Sequence, residues 1–115
     1  ERYQIPMIWL GGVVKAPYVV ESYGSQHDLA ATLLGQLGIS HASFIFSKDM
    51  LDSRAPHFAF FTYPDLWGMA TEEQQMIYDN VAGKTVLYRG KRGRSTMEKQ
   101  GKAYLQELYN DIARR

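Results

Sequence analysis

The hydrophobic pattern changes character several times along the chain. Ile5-Pro6-Met7-Ile8-Trp9-Leu10 is continuously apolar, the pattern of a strand buried on both faces, with Pro6 tolerated at its start. Gly11-Gly12 ends that strand, and residues 13–24 read as a loop held to the body by Tyr18, Val19 and Val20. A helical period then begins. Ser25 is placed as N-cap and Asp28 as the N3 carboxylate that reaches back to the cap, beside the positive end of the helix dipole. Leu29, Leu33, Leu34 and Leu37 make an apolar stripe, and Gly38-Ile39 supplies the C′ glycine and C″ hydrophobe of a Schellman stop.

Residues 40–56 have no period and are expected to be ordered loop with short turns. From Phe58 the texture becomes aromatic and β-branched. Phe58 to Tyr63 and Leu66 to Ala70 predict two strands joined by a Pro64-Asp65 turn. Met76 to Tyr78 and Thr85 to Tyr88 predict a second hairpin around residues 79–83, so the block is an antiparallel meander. After a basic, glycine-flanked linker at residues 90–93, Ser95-Thr96-Met97-Glu98 has the form of a capping box. Met97, Tyr104, Leu105, Leu108, Tyr109 and Ile112 share one face of a terminal helix. Gly101 inside that helix costs about 1 kcal/mol relative to Ala and points to close packing against a neighbour.

Composition narrows the class. At 115 residues the chain is one segment, residues 1–115, with 45% hydrophobic and 22% charged residues, a globular mix. Lys+Arg of 13 against Asp+Glu of 12 gives no global drive toward nucleic acid or anionic membrane. No cysteine is present, which excludes thiolate zinc sites and a cysteine nucleophile within these residues. The apolar run from Ile5 to Val14 is too short to span a bilayer, and no signal peptide is visible. The opening Glu1-Arg2-Tyr3 lacks an initiator methionine, so the chain is expected to be a piece of something longer.

Gln4 to Leu10, followed by Gly24-Ser25-Gln26-His27-Asp28-Leu29-Ala30-Ala31-Thr32-Leu33-Leu34 and Leu37-Gly38-Ile39, resembles the C-terminal part of bacterial sulfatase-family enzymes of the alkaline phosphatase superfamily. The nearest branch is that of lipoteichoic-acid synthases and related phosphoglycerol transferases. Phe46 to Leu51 is similar to the short segment after the family's helix, and Phe58 to Ala70 to its aromatic hairpin. The resemblance implies an α/β fold, the C-terminal portion of an alkaline-phosphatase-like α/β/α sandwich carrying an antiparallel meander and a terminal helix. It implies a cell-envelope, membrane-anchored, extracytoplasmic parent enzyme that hydrolyses or transfers sulfate or phosphate esters of anionic lipids or glycans. A divalent metal (Mn, Ca or Mg) would serve that parent, with a Thr or formylglycine nucleophile and an Asp-His-Gly metal motif lying upstream of Glu1. No Asp-His-Gly occurs in this sequence, and His27-Asp28 has the reverse order. No catalytic residue and no metal ligand is therefore carried over, the segment alone is expected to be soluble and inactive, and no cofactor is expected to bind it.

The remaining candidates concern binding. His27, at the helix start, and Arg89, Lys91 and Arg92, in the one stretch of local positive charge, are the residues assigned to a substrate wall or anion contact. The bland alternatives are helix capping for His27 and a solvated linker for the cations. His41 and His57 lack ligand spacing. Asp49 and Asp52 can act as acid and base only if burial separates their pKa values. Expected partners are the upstream part of the same polypeptide and a second copy meeting the strand at residues 7–10, with no nucleic acid. A rival reading is a stand-alone module that uses residues 84–94 on an anionic polymer.

Overall fold

The computed structural model describes residues 4–12 and 14–115. It is a mixed α/β structure of two helices and one four-stranded antiparallel sheet. In chain order these are α1 (Asp28–Gln36), β1 (Ala59–Tyr63), β2 (Leu66–Ala70), β3 (Gln75–Asp79), β4 (Lys84–Arg89) and α2 (Arg94–Arg114). The strands lie in sequence order, each paired with the next, which is the expected meander.

The first hairpin pairs Tyr63 with Leu66 across Pro64-Asp65. Asp65 has a φ of 64°, the left-handed conformation a type II turn demands at its second central residue. The second hairpin carries a bulge, since Ile77 faces Leu87 but Tyr78 faces Thr85, leaving Val86 as the extra residue.

One face of the sheet is the core. Phe60, Trp67, Met69, Met76 and Tyr78 meet Met97 of α2, and Phe58, Tyr88, Tyr104, Leu105 and Leu108 pack around them. Trp67 is fully buried between the rings of Phe60 and Tyr78, stacked at centroid distances of 5.9 and 5.4 Å. Gly101 of α2 sits directly on the Trp67 ring, as a glycine inside an otherwise good helix suggested.

The helix ends differ in how they match expectation. At the C-terminus of α1, Ile39 N–H donates to Leu34 C=O at 2.9 Å and Gly38 N–H to Gly35 C=O at 3.1 Å. With Gly38 at φ 68°, this is the Schellman pattern in full. At the N-terminus of α2 the capping box does not form. Gly93, at φ 87°, is the N-cap, so Ser95 already lies inside the helix. Glu98 instead accepts from Lys102 Nζ at 2.7 Å and from Thr85 Oγ1 at 3.1 Å, tying α2 to β4.

Two expectations for the first quarter of the chain are corrected. Residues 5–10 form no strand and join no ladder, and Ile5, Met7, Ile8 and Leu10 are all exposed. A strand needs neighbours to satisfy its backbone groups, and among the described residues neither edge strand, β1 or β4, pairs with this segment. Tyr18 and Val19 likewise face outward instead of holding the loop to the body, while Val13 lies outside the described residues. Among the described residues no helix is long and apolar enough to cross a membrane.

Candidate functional site

The start of α1 gathers most of the buried polar chemistry of the molecule. Asp28 is fully buried, and its carboxylate is enclosed by donors. Ser25 N–H donates to Oδ2 at 2.7 Å and Lys48 N–H to Oδ1 at 2.8 Å. The Lys48 ammonium reaches both oxygens at 2.9 Å while lying 4.0 Å from the centre of the Phe58 ring. A buried carboxylate is tolerable only when its charge and lone pairs are met in this way.

Neighbouring side chains extend the same arrangement. Thr32 Oγ1 donates to Asp28 C=O at 2.6 Å and accepts from Met50 N–H at 2.9 Å. Ser47 Oγ accepts from Ala31 N–H at 2.8 Å and donates to His27 C=O at 2.6 Å. Ser25 faces the sheet, its hydroxyl accepting from Phe60 N–H at 2.8 Å and donating to Phe60 C=O at 3.1 Å. The expected N-cap is corrected: α1 starts at Asp28, with His27 and not Ser25 as its N-cap and no side-chain cap bond. The bond from Ser25 N–H to Asp28 is the one the capping box called for, but the Ser25 hydroxyl is taken up by the edge strand β1. The loop after α1 is pinned to it by Ser47, Lys48 and Met50, a role that a polar loop sequence did not announce.

Burial on α1 is the reverse of a free-standing amphipathic helix. Its buried residues are Asp28, Ala31 and Thr32, whereas Leu29, Leu33 and Leu37 are 40%, 47% and 63% exposed. These three leucines, and Ile39, Phe44 and Ile45 after the helix, are exposed apolar side chains without cover among the described residues.

His27 precedes α1, and its Nε2 lies 3.2 Å from the Tyr104 hydroxyl of α2 and 3.8 Å from Asp28 Oδ1. Burial lowers its pKa below the ordinary 6.5, with Asp28 opposing, Lys48 reinforcing and the Phe46 backbone opposing. Burial, aided by Asp28, pushes the Tyr104 phenol up to about 12, so it stays neutral beside the imidazole with which it shares a hydrogen bond. A histidine whose folded value lies below its unfolded value binds fewer protons when folded. Its contribution is then complete above 6.5 and declines as pH falls toward the folded value. Thermal melts between about pH 7 and about pH 5 should show a steeper loss for the native chain than for His27→Gln. Equal slopes would remove His27 from that role.

The other predicted residues are elsewhere. Arg89, Lys91 and Arg92 are exposed on the end of β4 and the linker to α2, and none makes an ion pair among the described residues. The linker is fixed by Tyr88, whose hydroxyl donates to Arg92 C=O at 2.5 Å. Along α2, Arg94 and Tyr104 are about 15 Å apart by helical rise, so His27 and the cations do not converge on one ligand.

Asp49 and Asp52 are turn carboxylates. Asp49 accepts from Leu51 N–H at 2.9 Å, and Asp52 accepts from the Arg54 backbone and guanidinium, which hold its pKa down at about 2. Asp52, so held, is not poised to act as an acid. Among the described residues no group of three or more His, Asp or Glu converges as a metal site, and the oxygens of Asp28 are taken by Lys48 and backbone donors. This set, with an ammonium already on the carboxylate, does not fit a divalent metal. Compared with known proteins, the chain matches no family model, no curated protein and no solved structure.

Proposed function

We propose that the chain is the C-terminal segment of a metal-dependent sulfatase-family enzyme, nearest the phosphoglycerol transferases, and that it serves as scaffold for a reaction centre carried upstream. In this reading the fold is the end of an alkaline-phosphatase-like α/β/α sandwich. The Asp28–Thr32 side of α1 locks the loop at 47–50 onto the meander, and the leucine side docks on the rest of the enzyme. The metal, the nucleophile and the sulfate or phosphate ester of a lipid or glycan all belong to that larger body, in the cell envelope.

The supporting observation is surface that a free domain would not leave open. The molecule exposes 8840 Å², against roughly 6,400 Å² for a compact monomer of this mass. Its radius of gyration is 15.6 Å, where roughly 13 Å is usual for this length. Much of the exposed apolar side-chain area lies on residues 5–10, the leucine face of α1 and residues 39–45. The upstream polypeptide is the cover this reading assigns to it. In the isolated chain a second copy would take its place through residues 7–10.

The test is the coding sequence ahead of Glu1 together with an assay of the chain alone. We expect an upstream Asp-His-Gly and a Thr, Cys or Ser nucleophile before it. With added Mn²⁺ we expect no turnover of bis(p-nitrophenyl) phosphate or p-nitrophenyl sulfate by these 115 residues. Turnover, or an upstream sequence without those motifs, overturns the proposal. Salt-sensitive retention on heparin, abolished by neutralising Arg89, Lys91 and Arg92, would instead favour the anionic-polymer module.

A further inference from the structure

Glu98, Gly101, Lys102 and Tyr104 of α2 meet Thr85, Trp67, Tyr78 and Phe60, one residue on each strand of the sheet. The residues of α2 packed on the core end at Leu108, and Tyr109 is 60% exposed although it continues the apolar stripe of the helix. An open cleft of about 590 Å³ lies between residues 102–109 of α2 and the two hairpin ends.

The lining chemistry is specific. Leu66 and Leu105 contribute apolar surface, and Tyr63 from the sheet side and Tyr109 from the helix side contribute two exposed phenol rings. Neither ring stacks on another aromatic among the described residues. The side chains of Asp65 and Asn80 also line the cleft and make no hydrogen bond within the described residues, although their backbones are joined at 2.8 Å. Gln106 spends its amide N–H on Asn110 and keeps its carbonyl free. Lys102, the one cation in the lining, is already paired with Glu98 at 2.7 Å and lies over the Tyr78 ring.

We propose that this cleft binds a neutral saccharide. A pyranose ring presents an apolar C–H face, which suits a tyrosine ring, and an equatorial fringe of hydroxyls, which suits carboxylate and amide groups placed beside it. An anionic ligand is disfavoured because the only free charge in the lining is the Asp65 carboxylate. Asp65 is also the sole non-glycine residue with positive φ among the described residues, a turn position where glycine is conformationally cheaper. The site stands apart from the ester chemistry proposed above and does not depend on it.

Amide chemical-shift mapping of the full chain tests this with maltotetraose, cellotetraose and chitotetraose, and with glycerol 3-phosphate as the anionic control. At least one saccharide should shift amides at 62–66, at 80 and at 102–109, while glycerol 3-phosphate leaves them unmoved. Asp65→Gly relieves the turn and Tyr109→Ala removes only an exposed ring, so both variants should melt no lower than the native chain. Each should weaken saccharide binding about tenfold. The proposal is overturned if no saccharide shifts these amides up to its solubility limit, if the control shifts them equally, or if both variants bind as the native chain does.

Discussion

Replacing Asp28 with alanine should cost about 3–5 kcal/mol, a large part of the total stability of a small domain. The size follows from what is left behind. The Lys48 ammonium, with its side chain only 13% exposed, loses both oxygens it holds at 2.9 Å, and the Ser25 and Lys48 N–H groups lose their acceptors. A charge stranded in that position is costlier than a lost surface ion pair. The damage should be local first, because Lys48 is one of the residues tying the loop at 47–50 to α1. Urea denaturation gives the free energy, and hydrogen exchange should show the amides of Ala31 and Met50 losing protection before those of β2 and β3. The double variant Asp28→Ala/Lys48→Met should recover much of the loss, since it removes the charge along with its partner. A single-variant effect below about 1 kcal/mol would mean that water already screens this pair.

Gly101→Ala should destabilise the protein although alanine is the better helix former by about 1 kcal/mol. A Cβ on Gly101 would lie 2.1 Å from Cζ3 and 2.2 Å from Cη2 of Trp67. The indole cannot slide aside along its own plane normal, since Phe60 and Tyr78 stack on its two faces. Relief requires lifting α2 from the sheet, and overpacking of this kind typically costs about 1–3 kcal/mol. Thermal unfolding followed by circular dichroism should show the midpoint falling by roughly 4 °C per kcal/mol. The near-ultraviolet signal of Trp67 should change with it. A midpoint that rises would show that helix propensity outweighs the contact.

These two positions also mark where reading the sequence succeeds and where it stops. Gly101 was legible because a glycine inside a periodic helix needs a reason, and close approach is the commonest one. Asp28 was legible as a capping carboxylate, and its bond to Ser25 N–H is the one expected. Its partner Lys48 was not, because twenty positions separate them and no local rule links a loop lysine to a helix start. The same limit accounts for the missed box at Ser95. The pattern there is intact, but Gly93 starts α2 earlier and Lys102 and Thr85 compete for Glu98. For the proposed saccharide cleft, the stripe placed Tyr109 on the packed face of α2, whereas the structure leaves it 60% exposed in the cleft lining.

Local chemistry by itself determined the hairpins of the meander, with the Pro64-Asp65 turn, and the Schellman stop at Gly38-Ile39, because each depends on neighbours within a few positions. It marked Gly101 as a close contact, but that Trp67 is what it touches came from the tertiary structure. Tertiary structure alone decided which face of α1 is covered, that residues 5–10 find no sheet to join, and that His27 meets Tyr104 while Arg89, Lys91 and Arg92 stay apart from both. Periodicity states which side chains share a face. Which face loses its water depends on what else is present to pack against it, and that is a property of the whole assembly.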